Sequence, residues 1–193
     1  MKKIIRKLYW NPQKEENWLN SLAAKGLSLT DYSWGRYVFQ DTEPGEYTYR
    51  IELLDKNAQT VESEVYLRFL EESGVEVVSH WKRWVYLRKK TVEGPFDLYS
   101  DIESRIRYLM RLTRFYLGLT LLEAFVGLAN ILIGITDVFV KPLQDRGFMS
   151  SVPFVNLFGG ILCLGLGLMF FFALYLPIRS QLRKLKKEKE IFE

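Results

Sequence analysis

The chain has 193 residues, 48% of them hydrophobic, and 27 Lys and Arg against 23 Asp and Glu leave a formal charge of +4. One cysteine, Cys163, excludes an intramolecular disulfide, and one histidine, His80, argues against a histidine-rich metal site or a Ser-His-Asp triad. Residues 1–114 hold 36 of the 50 charged side chains, whereas 115–140 holds only Glu123 and Asp137, so the composition divides the chain near 114.

The start, MKKIIRKLYWNPQKEENW, is basic but lacks the apolar run of a signal peptide, so no cleavage is expected. KIIRKLYW has strand character. NPQKEENWLNSLAAKG reads as a helix with Trp18, Leu19, Leu22 and Ala23 on one face and Gly26 as its stop. LSLTDYSW and RYVFQ follow as short strands.

From Glu46 the series recurs: YTYRIELL as a strand, TVESEVYLRFLEESG as a helix closed by Gly74, then VEVVSHW and RWVYLRKK as strands. At a spacing of 48, Leu22 meets Leu70, Gly26 meets Gly74 and Leu29 meets Val77; one residue of slippage later, Trp34–Phe39 resembles Trp81–Tyr86. This predicts an internal duplication. The expected fold class is α+β, with duplicated strand-helix-strand-strand units forming one sheet and both helices on one face. Trp34, Tyr37, Tyr47, Tyr49, Trp81, Trp84 and Tyr86 exceed what such a sheet must bury beneath two helices. They fill the core or pair across strands, or they form an aromatic platform for a protein partner or the membrane surface.

EENWLNSLAAKG, GEYTYRIEL, FLEESGVEVV, WVYLRK and LYSDIESRIRYLMR, followed by a hydrophobic tail, resemble the family known as domain of unknown function 2812 over most of residues 8–110. The resemblance implies a membrane protein of Gram-positive bacteria, often encoded near PadR-type transcription regulators or transporters. It carries over no functional residues.

LYSDIESRIRYLMR begins a helix with Ser100 as N-cap and Glu103 three residues on. It is expected to continue from a juxtamembrane segment, 97–114, into the bilayer. Runs 115–140 and 152–178 are each long enough at about 1.5 Å per residue to cross a hydrocarbon core of roughly 30 Å. Arg105, Arg107, Arg111 and Arg114 precede the first run, and six Lys and Arg follow the second in 179–193, while the connector 141–151 holds only Lys141 and Arg146. The expected protein is therefore a multi-pass protein of the cytoplasmic membrane, both termini cytoplasmic, with a cytosolic domain over 1–96, a short external loop and a basic tail. Its excess charge is expected to meet anionic lipid headgroups rather than nucleic acid.

Within the first run Thr120, Glu123, Gly127, Asn130, Gly134 and Asp137 are spaced 3, 4, 3, 4 and 3, one helical stripe. In the second, Asn156, Gly160, Cys163 and Gly167 are spaced 4, 3 and 4. Small and polar residues let membrane helices approach, so the stripes are expected to face each other or the spans of other subunits. Glu123 is costly in a bilayer and is expected to be protonated, or paired with a donor such as Asn130 or a basic group of a partner.

No phosphate-binding glycine loop, nucleophile elbow or paired-cysteine motif occurs, so neither catalytic residues nor a metal or cofactor are expected, and the chain reads as a non-enzyme. The leading expectation is a regulatory or accessory subunit whose domain binds a cytosolic protein, such as a PadR-type regulator. Its spans would oligomerise or dock on a larger membrane complex such as a transporter. The alternative is a small channel or exporter component using Glu123 and Asn130.

Overall fold

The structure is a computed structural model describing residues 2–99, 101–140 and 152–192. It divides into two compact units, Met1–Arg105 and Ile106–Glu193.

The first unit runs β1 (Lys2–Arg6), α1 (Pro12–Ala23), β2 (Leu27–Ser33), β3 (Arg36–Asp41), β4 (Tyr47–Leu53), α2 (Val61–Glu72), β5 (Glu76–Trp81) and β6 (Trp84–Lys90). Asn11 starts α1: its side chain accepts from the Gln13 and Lys14 amides, and Pro12 occupies the first turn, where a missing N–H costs nothing. Gly26 ends it at φ +79°, and a Cβ there would lie 2.8 Å from the Thr42 carbonyl oxygen. Only glycine satisfies both demands.

The six strands form two antiparallel three-stranded sheets, β1-β3-β2 and β4-β6-β5, and not the single sheet expected. The helices also do not share one face. Alternation along β6 gives the reason: Val85 and Leu87 pack with Leu70 of α2, Leu54, Ala58, Val75 and Phe96, whereas Tyr86 joins Leu19 and Ala23 of α1 with Leu29, Tyr37, Phe39, Tyr49 and Ile51. A strand apolar on both sides is covered on both sides. The second sheet thus lies between α2 and a core completed by α1 and the first sheet.

Each half orders its strands with the third in the middle. Bulges fall between Leu29 and Asp31 and between Val77 and Ser79, and the two-residue turns Trp34-Gly35 and Lys82-Arg83 also stand 48 apart. That spacing aligns Phe39 with Leu87, with no slipped residue.

β4 is an edge strand, and α1 closes that edge. The Asn20 amide acts like a fragment of strand, its Oδ1 accepting from the Tyr49 N–H at 2.7 Å and its Nδ2 donating to the Tyr49 carbonyl at 3.1 Å. Glu16 Oε2 accepts from the Ile51 N–H at 3.2 Å, and Glu16 Oε1 pairs with Arg50 at 2.8 Å. Paired edges resist adventitious strand addition. Asn20→Ala is expected to lower the stability of the full-length protein by about 2 kcal/mol, because the Tyr49 N–H loses its acceptor and the Tyr49 carbonyl keeps only the longer bond from Arg50; a denaturant midpoint equal to that of the parent would contradict this.

In the second unit α3 (Ile102–Val140) is one 39-residue helix, and α4 (Val152–Phe170) passes through a π turn, Phe171–Tyr175, into α5 (Leu176–Phe192). The Ser104 N–H donates to Asp101 Oδ1 at 2.7 Å, so Asp101 caps α3; the expected cap Ser100 and the connector 141–151 lie outside the described residues. Ile102–Phe139 and Pro153–Glu190 are each long and apolar enough to cross a membrane. Residues 179–192, expected as a tail, are helix.

Candidate functional site

The two small-residue stripes meet within the chain. A Cβ on Gly134 would lie 2.9 Å from the Pro153 carbonyl oxygen, one on Gly127 2.9 Å from that of Gly160, and one on Gly167 3.4 Å from that of Thr120. Steps of seven from 120 to 134 along α3 are matched by steps of seven from 167 to 153 along α4, the mark of an antiparallel pair in heptad register. Contact at Gly160 is the tightest: a Cβ there would stand 2.6 Å from Ile131 Cγ1 and 2.7 Å from the Gly127 carbonyl oxygen. Helices touch backbone to backbone here, as small residues permit.

The polar members of the stripes sit beside these contacts. Glu123 is half-buried, with its Cβ beside Gly167 of the opposite helix. Asn130 is not its partner: its Nδ2 donates to the Val126 carbonyl at 3.0 Å, one turn back on its own helix. Seven residues of rise, about 10 Å, separate the two side chains. The Thr120 hydroxyl is buried and has no hydrogen-bond partner among the described residues. Asp137 and Asn156 are half-buried. Leu121, Phe125, Leu128, Leu132, Phe158, Ile161 and Leu162 point outward, the surface a lipid environment suits.

The seven aromatics of the first unit separate into two groups. Tyr37, Tyr49 and Tyr86 are 1–3% exposed and belong to the core, and Tyr47 and Trp84 pack against it half-buried. They cannot form an exposed platform. Trp34 is 70% exposed in the β2–β3 turn at φ +43°, and its ring lies 4.9 Å from that of Trp81, at the end of β5. Lys82 Nζ stands 5.0 Å from the Trp81 ring. These rings and this ammonium make an aromatic, cationic tip across the two hairpin turns.

Residues that the sequence reading passed over organise the core. Glu15 Oε1 accepts from the hydroxyls of both Tyr37 and Tyr86 at 2.6 Å, tying α1 to the central strand of each sheet. Burial pushes the Glu15 carboxyl above its ordinary value of 4.5, against the two hydroxyls that hold it down. Glu16 is raised too, again by burial, despite Arg50. The Tyr49 hydroxyl accepts from the Leu29 N–H at 2.8 Å and lies 3.1 Å from Ser28 Oγ, which in turn receives Arg88. Single acidic and tyrosine residues carry no spacing signal, so this network has no local signature. No group of His, Cys, Asp and Glu placed to hold a metal ion occurs among the described residues.

A family model described as protein of unknown function (DUF2812) matches residues 11–121, more than half of the chain. The chain belongs to the DUF2812 family. No curated protein and no solved structure matches it. The DUF2812 span begins at the Asn11 cap of α1 and ends twenty residues into α3. It therefore takes in the Glu15 network, the β4 clasp and the aromatic tip. The remaining DUF2812 assignment stops before Glu123, so the hairpin contacts from Glu123 onward lie beyond it.

Proposed function

We propose that this chain is a non-enzymatic regulatory or accessory subunit of the cytoplasmic membrane. Its two long helices form a spanning hairpin with both termini on the cytosolic side, as the Lys and Arg beside the spans favour. Its first unit binds a cytosolic protein. We read the two halves of that unit as copies of one strand-helix-strand-strand module, a reading supported by the shared 48-residue spacing of bulges, turns and helix-ending glycines.

The observation that carries the binding role is Trp34. It occupies the first position of a two-residue turn with positive φ at both Trp34 and Gly35, a conformation that asparagine favours and a bulky aromatic does not. A large apolar ring held in unfavourable backbone geometry, exposed, and set 4.9 Å from a second tryptophan at a tilt of 56° supports a contact surface.

Trp34→Asn separates function from folding. The Asn-Gly turn should raise the stability of the protein by about 0.5–1 kcal/mol, while removing the partner. Cross-linking and mass spectrometry on full-length protein in mild detergent should find a stoichiometric cytosolic partner on the parent and not on the variant. Equal capture by both would remove Trp34 from the interface.

A further inference from the structure

The π turn Phe171–Tyr175 has a local cause and a distant effect. Pro177 has no N–H, and its ring would collide with the carbonyl of Ala173 in a regular helix, a clash the wider turn relieves. The extra residue also shifts the buried stripe. Pro153, Gly160, Gly167 and Leu174 recur at intervals of seven, whereas Ile178 and Leu182 then follow at intervals of four. A strict heptad would have turned Gln181 and Lys184 inward; both are exposed. The helix is in effect rotated by about 100° beyond the turn.

That rotation gathers Phe171, Tyr175, Leu176, Arg179, Ser180 and Arg183 around an open groove of about 380 Å³. The Tyr175 ring stacks on Phe171 at 5.3 Å, the Arg179 guanidinium lies 5.4 Å from the Tyr175 ring, and Arg179 Nη1 donates to the Tyr175 hydroxyl. No carboxylate lines the groove. Arg179 is thus held in place by an aromatic ring instead of being neutralised, and Arg183 follows it at four residues on the same face. Ser180 adds a hydroxyl, and Phe171 and Leu176 make the wall apolar toward the exposed Phe172.

We propose that this groove binds the headgroup phosphate of an anionic phospholipid, with its glycerol and upper acyl chain against Phe171 and Leu176. Two guanidinium forks and a hydroxyl match phosphate oxygens. The apolar wall and its place at the end of the apolar run match a lipid better than a free phosphate. The site rests on the membrane reading above, because only a spanning α4 brings the π turn to the level of headgroups.

Full-length protein extracted from membranes in mild detergent is to be examined by native mass spectrometry with added phosphatidylglycerol or phosphatidylcholine. The parent should retain about one phosphatidylglycerol per chain in preference to phosphatidylcholine. R179Q/R183Q should bind it roughly 30-fold more weakly, given the attraction of two such side chains for an anionic headgroup. K186Q/K187Q removes the same charge from exposed positions farther along α5 and should bind like the parent.

Circular dichroism matching the parent confirms that R179Q/R183Q is folded. Equal loss in both variants, or no preference for phosphatidylglycerol, overturns the site. Displacement of the lipid by millimolar inorganic phosphate reassigns the groove to soluble phosphates and likewise overturns it. Release of the parent from membranes by carbonate would sink the membrane reading and the site together, whereas carbonate resistance without bound phosphatidylglycerol sinks the site alone.

Discussion

Gly160→Ala should destabilise the helical hairpin by about 1–3 kcal/mol, and Gly159→Ala should leave it as stable as the parent or slightly more so. The two glycines are neighbours of equal composition and opposite surroundings. A Cβ at Gly160 meets Ile131 Cγ1 at 2.6 Å, the Gly127 carbonyl oxygen at 2.7 Å and the Ile131 amide nitrogen at 3.0 Å, two of them backbone atoms that cannot turn aside. A Cβ at Gly159 meets nothing within 4 Å. To make room, the helices must separate, and every close contact from Gly134 to Gly167 loosens with them. Unfolding the full-length protein in mixed micelles with increasing SDS, followed by circular dichroism, reads both variants on one scale. Equal midpoints for the pair would mean that the helices do not touch at this register.

Removing the Glu15 carboxylate is the second large effect. Glu15→Ala leaves the hydroxyls of Tyr37 and Tyr86 buried without an acceptor and opens space between α1 and both sheets. At about 1–3 kcal/mol for each unsatisfied group, a loss of about 3 kcal/mol is expected, against about 1 kcal/mol for Tyr37→Phe. The pH dependence has a definite sign. The folded Glu15 and Glu16 carboxyls are both raised above the ordinary 4.5, so the folded state holds their protons more tightly than the unfolded chain does. Their contribution to stability is fully present below the unfolded value and is lost as pH rises through the elevated folded values. Glu15→Gln keeps a carbonyl acceptor without the charge, so it should gain on the parent as pH rises and flatten this slope. Urea titrations of the full-length protein in detergent, read by tryptophan fluorescence across that range, test both points. A Gln variant whose stability tracks that of the parent at every pH would refute the assignment.

Elements with strong local signals were legible in the sequence. The α1 helix and its end at Gly26, the short strands and the two apolar helices all follow from spacing and from residues with one conformational use. The stripes carried enough information to place Gly127 and Gly160 on contacting faces, because heptad spacing and small size are both visible. What failed was arithmetic on faces. A single sheet with both helices on one face was expected, but Tyr86 points to one side of β6 and Val85 and Leu87 to the other, and each side has its own core. The aromatic surplus left core, cross-strand pairing and surface all open, and the structure divides it: Tyr37, Tyr49 and Tyr86 spend their hydroxyls on Glu15, Ser28 and Leu29 inside. Asn130 was one donor offered for Glu123 because they share a stripe, but a stripe sets direction and not reach, and Asn130 donates to Val126 instead. Pro177 was the one available sign of the π turn, visible inside an otherwise unbroken apolar run.

The clasp of α1 on β4 bears on how the chain is made. Synthesis proceeds from the N-terminus, and folding usually follows in that order. Here the first sheet is fully synthesised by Asp41, yet the core beneath it lacks Tyr49, Ile51 and Tyr86, and Glu15 lacks one of its two hydroxyls until β6 emerges. The nascent first half therefore waits, its aromatic face partly uncovered, through nearly fifty further residues. Pairing of β6 with β4 brings Tyr86 to Glu15 and completes that core. Only a short stretch then separates the finished first unit from the long apolar helix that follows, so the two are synthesised almost back to back.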